Sequence, residues 1–271
     1  MKINLPHLFV EINNLNYKFI VVQLDENHNL KIIEKFILPN NEIKMNKLQN
    51  FQEANKIIKF NIEKIEGKVD FIFKDIVLII GNLEQTCVSL SAYKRLNGSQ
   101  VLKENISYIL NSLKHVLSQT EKEKTILHIF NSKSILDGNE NKNLPIGLFG
   151  NFYIHELSFI LVDLNELKNI RNMFSKINLN INKIILKDFC EGTQLINNNE
   201  NIETFLKIEI NKNQSETFLF ENSSFKFSEK LTFGTEIIYR DIKKICLINE
   251  NIIKNFLEKN SNETKDFDHD D

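Results

Sequence analysis

Short runs of apolar residues, interrupted by turn-forming ones, dominate the first forty positions and predict strands. Leu8–Ile12 reads as a short buried strand, and Tyr17–Leu24 and Leu30–Leu38 follow on either side of the turn-rich Asp25–Asn29. The spacing then changes. Leu48, Phe51, Ile57, Ile58, Ile62 and Ile65 recur at helical intervals, which predicts a helix over Asn46–Glu66 ended by Gly67. A second unit starts near Asp75, with strands at Ile76–Ile80 and Thr86–Ser91 and a turn at Asn97-Gly98. Ser99–Thr120 carries one apolar stripe (Val101, Leu102, Ile106, Ile109, Leu110, Leu113, Val116, Leu117) and predicts a helix. Strands Thr125–Phe130 and Phe152–Val162 flank a polar loop, Asp137–Gly150. Asp163 followed by Glu166 is a capping box before a helix whose inner face is Leu167, Ile170, Phe174 and Ile177. A strand at Asn182–Leu186, a helix at Asp188–Leu195 and a polar linker at Asn197–Asn201 come next.

The third unit repeats the first. Phe205–Ile210, Glu216–Glu221 and Phe225–Phe233 predict three strands, and Gly234–Leu247 a helix. Val10-Glu11-Ile12-Asn13 matches Ile208-Glu209-Ile210-Asn211 at an offset of 198 residues, the interval of a duplicated domain rather than a solenoid. Asn249–Lys259 reads as a short amphipathic helix with Ile252, Ile253, Phe256 and Leu257 on one side. Acids and few lysines flank it, which favours packing on the third unit over a membrane surface. The last residues, 260–271, are acidic and predict a disordered tail.

Composition narrows the function classes. Of 271 residues, 42% are hydrophobic and 26% charged, enough for a sizeable core, and the net charge of −2 offers no basic excess for nucleic acid or anionic lipid. Three separated cysteines, Cys87, Cys190 and Cys246, fit a reducing compartment rather than a disulfide framework. No stretch has the length of a membrane span or the form of a signal peptide, so a soluble, cytoplasmic chain is expected.

The candidate chemistry lies in the duplicated strand–acid–turn. In sugar-kinase and actin-like nucleotide folds, two such turns bring backbone N–H groups to nucleotide phosphates, and a nearby acid organises metal and water. Close backbone approach to phosphate favours glycine. None of the eight glycines lies between Glu11 and Tyr17 or between Glu209 and Glu216. The turns read Asn13-Asn14-Leu15-Asn16 and Asn211-Lys212-Asn213-Gln214-Ser215, so Glu11 and Glu209 read as strand-end acids. The six histidines lack metal-site spacing, although His128 and His155 sit in strands that could face each other, and GxSxG, GxGxxG and GxxxxGK[ST] are absent. These features point to binding or assembly rather than to an enzyme, with neither ATP, Mg²⁺ nor any other metal expected.

The stretch Ile126-Leu127-His128-Ile129, Leu136-Asp137-Gly138 and Asn143-Leu144-Pro145-Ile146-Gly147-Leu148-Phe149-Gly150 resembles the FtsA family, the bacterial actin homologues of cell division. The segments from Phe152 to Ile196 resemble the family's next strand, helix, strand and helix. Phe205–Phe220 is similar to its "VDIGGGTTDIAVF" segment. Glu209 and Glu216 stand at its two Asp positions, Asn211, Lys212 and Asn213 at its glycines, and Gln214 at a Thr. Val10-Glu11-Ile12-Asn13 resembles its "LEIGTSK", with Asn for Gly. The resemblance implies an α/β, actin-like (ribonuclease H-like) duplicated fold. Subdomain 1A would occupy residues 5–73 and 163–200, an inserted 1C or SHS2-type subdomain 74–162, and part of 2A 201–259. Subdomain 2B, the adenosine-contacting motif and the C-terminal membrane helix have no counterpart. That weakens ATP binding, contact with the tubulin-like FtsZ and direct membrane attachment. The implied role is a scaffold at the division site on the inner face of the membrane. Its partners would be other division proteins, an FtsZ-like tubulin homologue or further copies joined through 1C. Glu11, Asn13, Glu209, Asn211, Asn213 and Glu216 would be degenerate phosphate-loop positions. An actin-like ATPase with unusual phosphate loops and a pilus-assembly-type adaptor are the alternatives.

Overall fold

The computed structural model describes residues 5–13, 16–25, 27, 29–40, 43–44, 47–48, 51–81, 83–199, 201–249, 251–253 and 255. Phe256, Leu257 and the 260–271 tail lie outside them, as do Asn14, Leu15, Glu26 and His28. Two compact units result: Met1–Thr204 with Phe220–Phe227, and Phe205–Leu219 with Ser228–Asp271.

The first unit contains β1 (His7–Ile12), β2 (Asn16–Leu24), β3 (Leu30–Pro39), the short β4 (Ile43–Lys44) and β5 (Lys47–Leu48), α1 (Phe51–Val69) and β6 (Asp75–Ile80). Next come β7 (Gln85–Arg95), α2 (Lys103–Thr120), β8 (Lys124–Leu136), β9 (Asn139–Asn141), β10 (Phe152–Asp163), α3 (Leu164–Ser175), β11 (Asn180–Leu186) and α4 (Lys187–Asn198). Its main sheet has the order β11-β6-β1-β2-β3, with β11, β6 and β1 parallel and β1, β2 and β3 antiparallel. The interior strand β6 sits between two parallel neighbours, which explains its continuous apolar run Ile76–Ile80. Leu8, Val10 and Ile12 alternate onto one face of β1 and are buried with Tyr17 and Phe19 of β2. Ala54, Ile58, Ile62 and Ile65 of α1, and Leu167, Ile170 and Phe174 of α3, complete that core. Each fully buried Leu, Ile or Phe stabilises by roughly 1.5–3 kcal/mol before conformational entropy is charged against it.

Between β6 and β11, which are hydrogen-bonded neighbours, the chain builds a separate antiparallel sheet of order β7-β10-β8-β9. The α2 residues Ile109, Leu113 and Leu117 pack there with Tyr153, Leu157, Phe159 and Leu161 as a second core. The chain then returns through α3, where the Asp163 carboxylate accepts the Glu166 N–H at 2.7 Å as the sequence predicts.

Beyond Thr204, β12 (Phe205–Ile210), β13 (Ser215–Glu221) and β14 (Ser224–Leu231) form a sheet in that order, followed by α5 (Thr235–Cys246).

Several expectations change. Helix α1 starts at Phe51, after the β4–β5 ribbon, and runs through Gly67 to Val69. Its left-handed terminator is Asp70 (φ 51°), and Phe71 N–H closes on Glu66 O at 3.2 Å. Helix α2 begins at Lys103, because Leu96, Ser99 and Val101 spend their backbone groups on the loop carrying Leu148 and Gly150. The supposed loop after Leu136 is a hairpin: Asp137 and Gly138 both take positive φ, the two-residue turn that Asp-Gly favours. His128 and His155 do not face each other. The register sets His128 opposite Ile160 and His155 opposite Ser134.

Candidate functional site

The carboxyl ends of the parallel strands β1, β6 and β11 come together at Ile12, Ile80 and Leu186, the end of an open α/β sheet where ligands usually bind. Asn13 leaves β1 here. Its N–H donates to Asn16 O at 3.1 Å and its Oδ1 accepts the Asn16 N–H at 2.8 Å, which ties the end of β1 to the start of β2. Asn13 Nδ2 donates to Glu11 Oε1 at 2.7 Å, and the buried Asn40 donates to Asn13 O at 2.7 Å. Glu11 is the cross-strand neighbour of Lys18, whose ammonium reaches Oε1 at 2.9 Å and Oε2 at 3.0 Å. One glycine does lie at this end. Gly81 N–H donates to Ile12 O at 3.0 Å, and a Cβ there would meet Lys187 Cδ at 2.9 Å and Asn13 Cβ at 3.2 Å. The missing side chain therefore lets neighbouring side chains close in and opens no space for a phosphate.

Helix α4 adds a ring of charge. Lys187 pairs with Glu191 at 2.9 Å, and Asp188 accepts from Gln85 at 3.0 Å. Burial, then the carboxylates Glu11, Glu191 and Asp188, push the Cys190 thiol up to about 11, so it stays protonated at neutral pH. Sequence reading missed Lys18, Gly81, Gln85, Lys187, Asp188 and Cys190. The glycine at the end of β6 was the one usable signal.

The second unit repeats the hairpin at the same offset. Asn211 N–H donates to Gln214 O at 3.0 Å, leaving Lys212 and Asn213 as a two-residue loop, so β13 starts one residue earlier than the sequence predicts. Lys207 approaches Glu209 Oε2 at 3.2 Å, Asn211 donates to Oε1 at 3.4 Å, and Gln214 donates to Glu216 Oε1 at 2.9 Å. Asn213 is exposed in the loop. The N-terminus of α5 meets this turn. Thr235 N–H donates to Asn211 O at 3.1 Å and Glu236 N–H to Lys212 O at 2.9 Å, while a Cβ on Gly234 would lie 2.2 Å from Asn211 O. These helix-end donors, the usual seat of an anion, go to the turn's own carbonyls.

A triphosphate needs uncommitted N–H groups and a metal needs an accessible carboxylate. Among the described residues, the N–H groups of Asn13, Asn16 and Asn211 at these turns are bonded internally, and Glu11 carries an ammonium on both oxygens, so the fit is poor. No group of three His, Cys, Asp or Glu side chains with metal-holding geometry occurs among the described residues. The two strand histidines act within the fold. His128 Nε2 accepts the Leu186 N–H at 3.3 Å, and His155 Nε2 bonds Asn131 Oδ1 at 2.7 Å. Burial lowers both imidazole pKa values from the usual 6.5. No helix among the described residues is long and apolar enough to cross a membrane.

No protein-family model matches the chain, and no curated protein matches it. Solved structures do match its fold. The PilM-PilN type IV pilus biogenesis complex aligns with TM-score 0.58 at 11% identity, over 91% of this chain and 67% of that one. The ethanolamine utilization protein EutJ from Carboxydothermus hydrogenoformans gives TM-score 0.44 at 6% identity, over 93% and 60%. The Aquifex aeolicus PPX-GPPA enzyme gives 0.41 at 10%, over 97% and 64%. The chain thus spans about three fifths to two thirds of the length of these structures. Its fold is α/β and actin-like, and the FtsA family in particular is not singled out. The expectation that the chain is not an enzyme is overturned: an Aquifex aeolicus enzyme and an exopolyphosphatase are among the structures matched.

Proposed function

We propose that this chain is an actin-like assembly protein that holds partner proteins at a membrane-associated machine, on the cytoplasmic side, and that its hairpin turns serve as rigid connections rather than as a seat for ATP and Mg²⁺. The observation that carries the reading is the loop of residues 144–149, within the segment that resembles the family's partner-binding subdomain. Leu144, Ile146, Leu148 and Phe149 stand 39–71% exposed. The backbone beneath them is tied down: Gly147 N–H donates to Val101 O, Val101 N–H to Leu148 O and Gly150 N–H to Ser99 O, at 2.9–3.2 Å. A rigid loop presenting four apolar side chains loses little entropy when a partner covers it.

The division machinery is the first assignment, from the resemblance to FtsA. A pilus-assembly adaptor is the second, favoured by the likeness to the PilM-PilN complex. A fluorescent fusion separates them. A mid-cell band that disperses on Phe149→Ser is expected for the division role, and foci that follow the pilus machinery would support the second. Diffuse signal from the unsubstituted chain would refute both.

A further inference from the structure

The duplication exposes a surface in the second unit. At the 198-residue offset, Leu8, Val10 and Ile12 of β1 correspond to Leu206, Ile208 and Ile210 of β12. The first three are buried, at 5% exposure or less, and the outer edge of β1 is paired with β6. Their counterparts are 53%, 56% and 58% exposed, and among the described residues β12 is the end strand of its sheet. The unpaired edge is a template for another strand, and the three branched apolar side chains share one exposed face of β12.

We propose that β12 pairs antiparallel with β12 of a second copy of this chain, about a two-fold axis through Ile208. The sequence of the strand, Phe205-Leu206-Lys207-Ile208-Glu209-Ile210, is self-complementary in that register. Ile208 meets Ile208 of the second copy, Leu206 meets Ile210, and Lys207 meets Glu209, twice per dimer. The hydrogen bonds agree. The Asn211 N–H to Gln214 O bond fixes the alternation along β12, so residues 205, 207 and 209 bond inward to β13 while 206, 208 and 210 aim their backbone groups outward. Centring on Ile208 makes each outward residue part of a hydrogen-bonded pair. It also puts Lys207 and Glu209 at the closely spaced, non-hydrogen-bonded positions, where cross-strand side chains interact most. A register shifted by one residue would lose both features. The pairing is isologous, so it closes at two copies and does not propagate.

Sedimentation equilibrium on the full chain tests this. A reversible monomer–dimer equilibrium is expected. K207E and E209K, each of which sets like charges opposite one another twice per dimer, should each raise the dissociation constant by about tenfold or more. The double variant K207E/E209K should restore it to within about threefold of the unsubstituted chain. Ile208→Lys, with two ammonium groups at the axis, should be monomeric with unchanged far-ultraviolet circular dichroism. A chain that stays monomeric at every concentration would overturn the proposal, leaving the edge to another protein's strand. So would a dimer indifferent to these substitutions, or a double variant as weak as the single ones.

Discussion

Gly192, in the middle of α4, is the position where a single methyl group would do most. A Cβ built there lies 2.0 Å from Phe220 Cε2 and 2.2 Å from Phe220 Cζ. The ring cannot simply swing away. Phe220 is fully buried, stacks on Phe189 with centroids 6.3 Å apart and meets Phe225 edge-on at 5.4 Å. Phe225 in turn leans on Phe130. Gly192→Ala should gain about 1 kcal/mol from helix propensity and lose roughly 1–3 kcal/mol to overpacking, for a net loss near 1 kcal/mol. Gly67 is the control. It also sits inside a helix, has nothing within 4 Å of its virtual Cβ, and Gly67→Ala should stabilise by about 0.5–1 kcal/mol. Urea unfolding followed by circular dichroism reads both, as shifts of the midpoint at constant slope. Phe220→Leu should cost less in the Gly192→Ala background than alone, with a coupling of about 0.5 kcal/mol or more. A Gly192→Ala protein more stable than the parent, or additive double variants, would refute the packing described for α4 against Phe220.

Three further outcomes are expected. Burial depresses the folded-state pKa values of His128 and His155, so their contribution to stability is full above about 6.5 and is lost as the pH falls through that value towards the folded-state pKa values. The thermal midpoint should drop between pH 7 and 5, and His128→Gln with His155→Gln should flatten that drop; an unchanged slope would assign it elsewhere. Iodoacetamide at pH 8 should label the exposed Cys246 and spare Cys190, held up at about 11; equal labelling by mass spectrometry would contradict the environment drawn for α4. Lys226 bridges Glu156 at 3.4 Å and Glu221 at 3.0 Å and also bonds the Ser132 hydroxyl. Lys226→Met should therefore destabilise by roughly 1–3 kcal/mol in urea melts, and a change below 0.3 kcal/mol would show the network to be idle.

The strands and helices were largely legible because most of them bury one clean face, and the duplication because two hairpins kept the same acid and asparagine at a fixed offset. What escaped has physical causes. Gly67 looked like a helix end, but Asp70 tolerates the left-handed conformation and α1 runs on to Val69. The Asp137-Gly138 hairpin hid inside a polar stretch, since β9 is three residues long and buries nothing. The candidate site was half legible. Glu11 with Asn13 and Glu209 with Asn211 are neighbours along the chain, and the structure brings each pair together. Gly81, Lys187 and Cys190 join the first pair through the parallel order β11-β6-β1, which hydrophobic periodicity does not encode. Lys18 was equally hidden, because cross-strand register decides that it stands beside Glu11, whereas Lys207 lies two residues before Glu209 on the same strand and shares its face.

Calorimetric titration of Mg-ATP into the full chain asks most directly whether internal bonds have replaced a phosphate at these turns. No saturable heat is expected up to millimolar nucleotide. A dissociation constant in the micromolar range, weakened by Lys187→Ala or Glu11→Gln, would contradict the account.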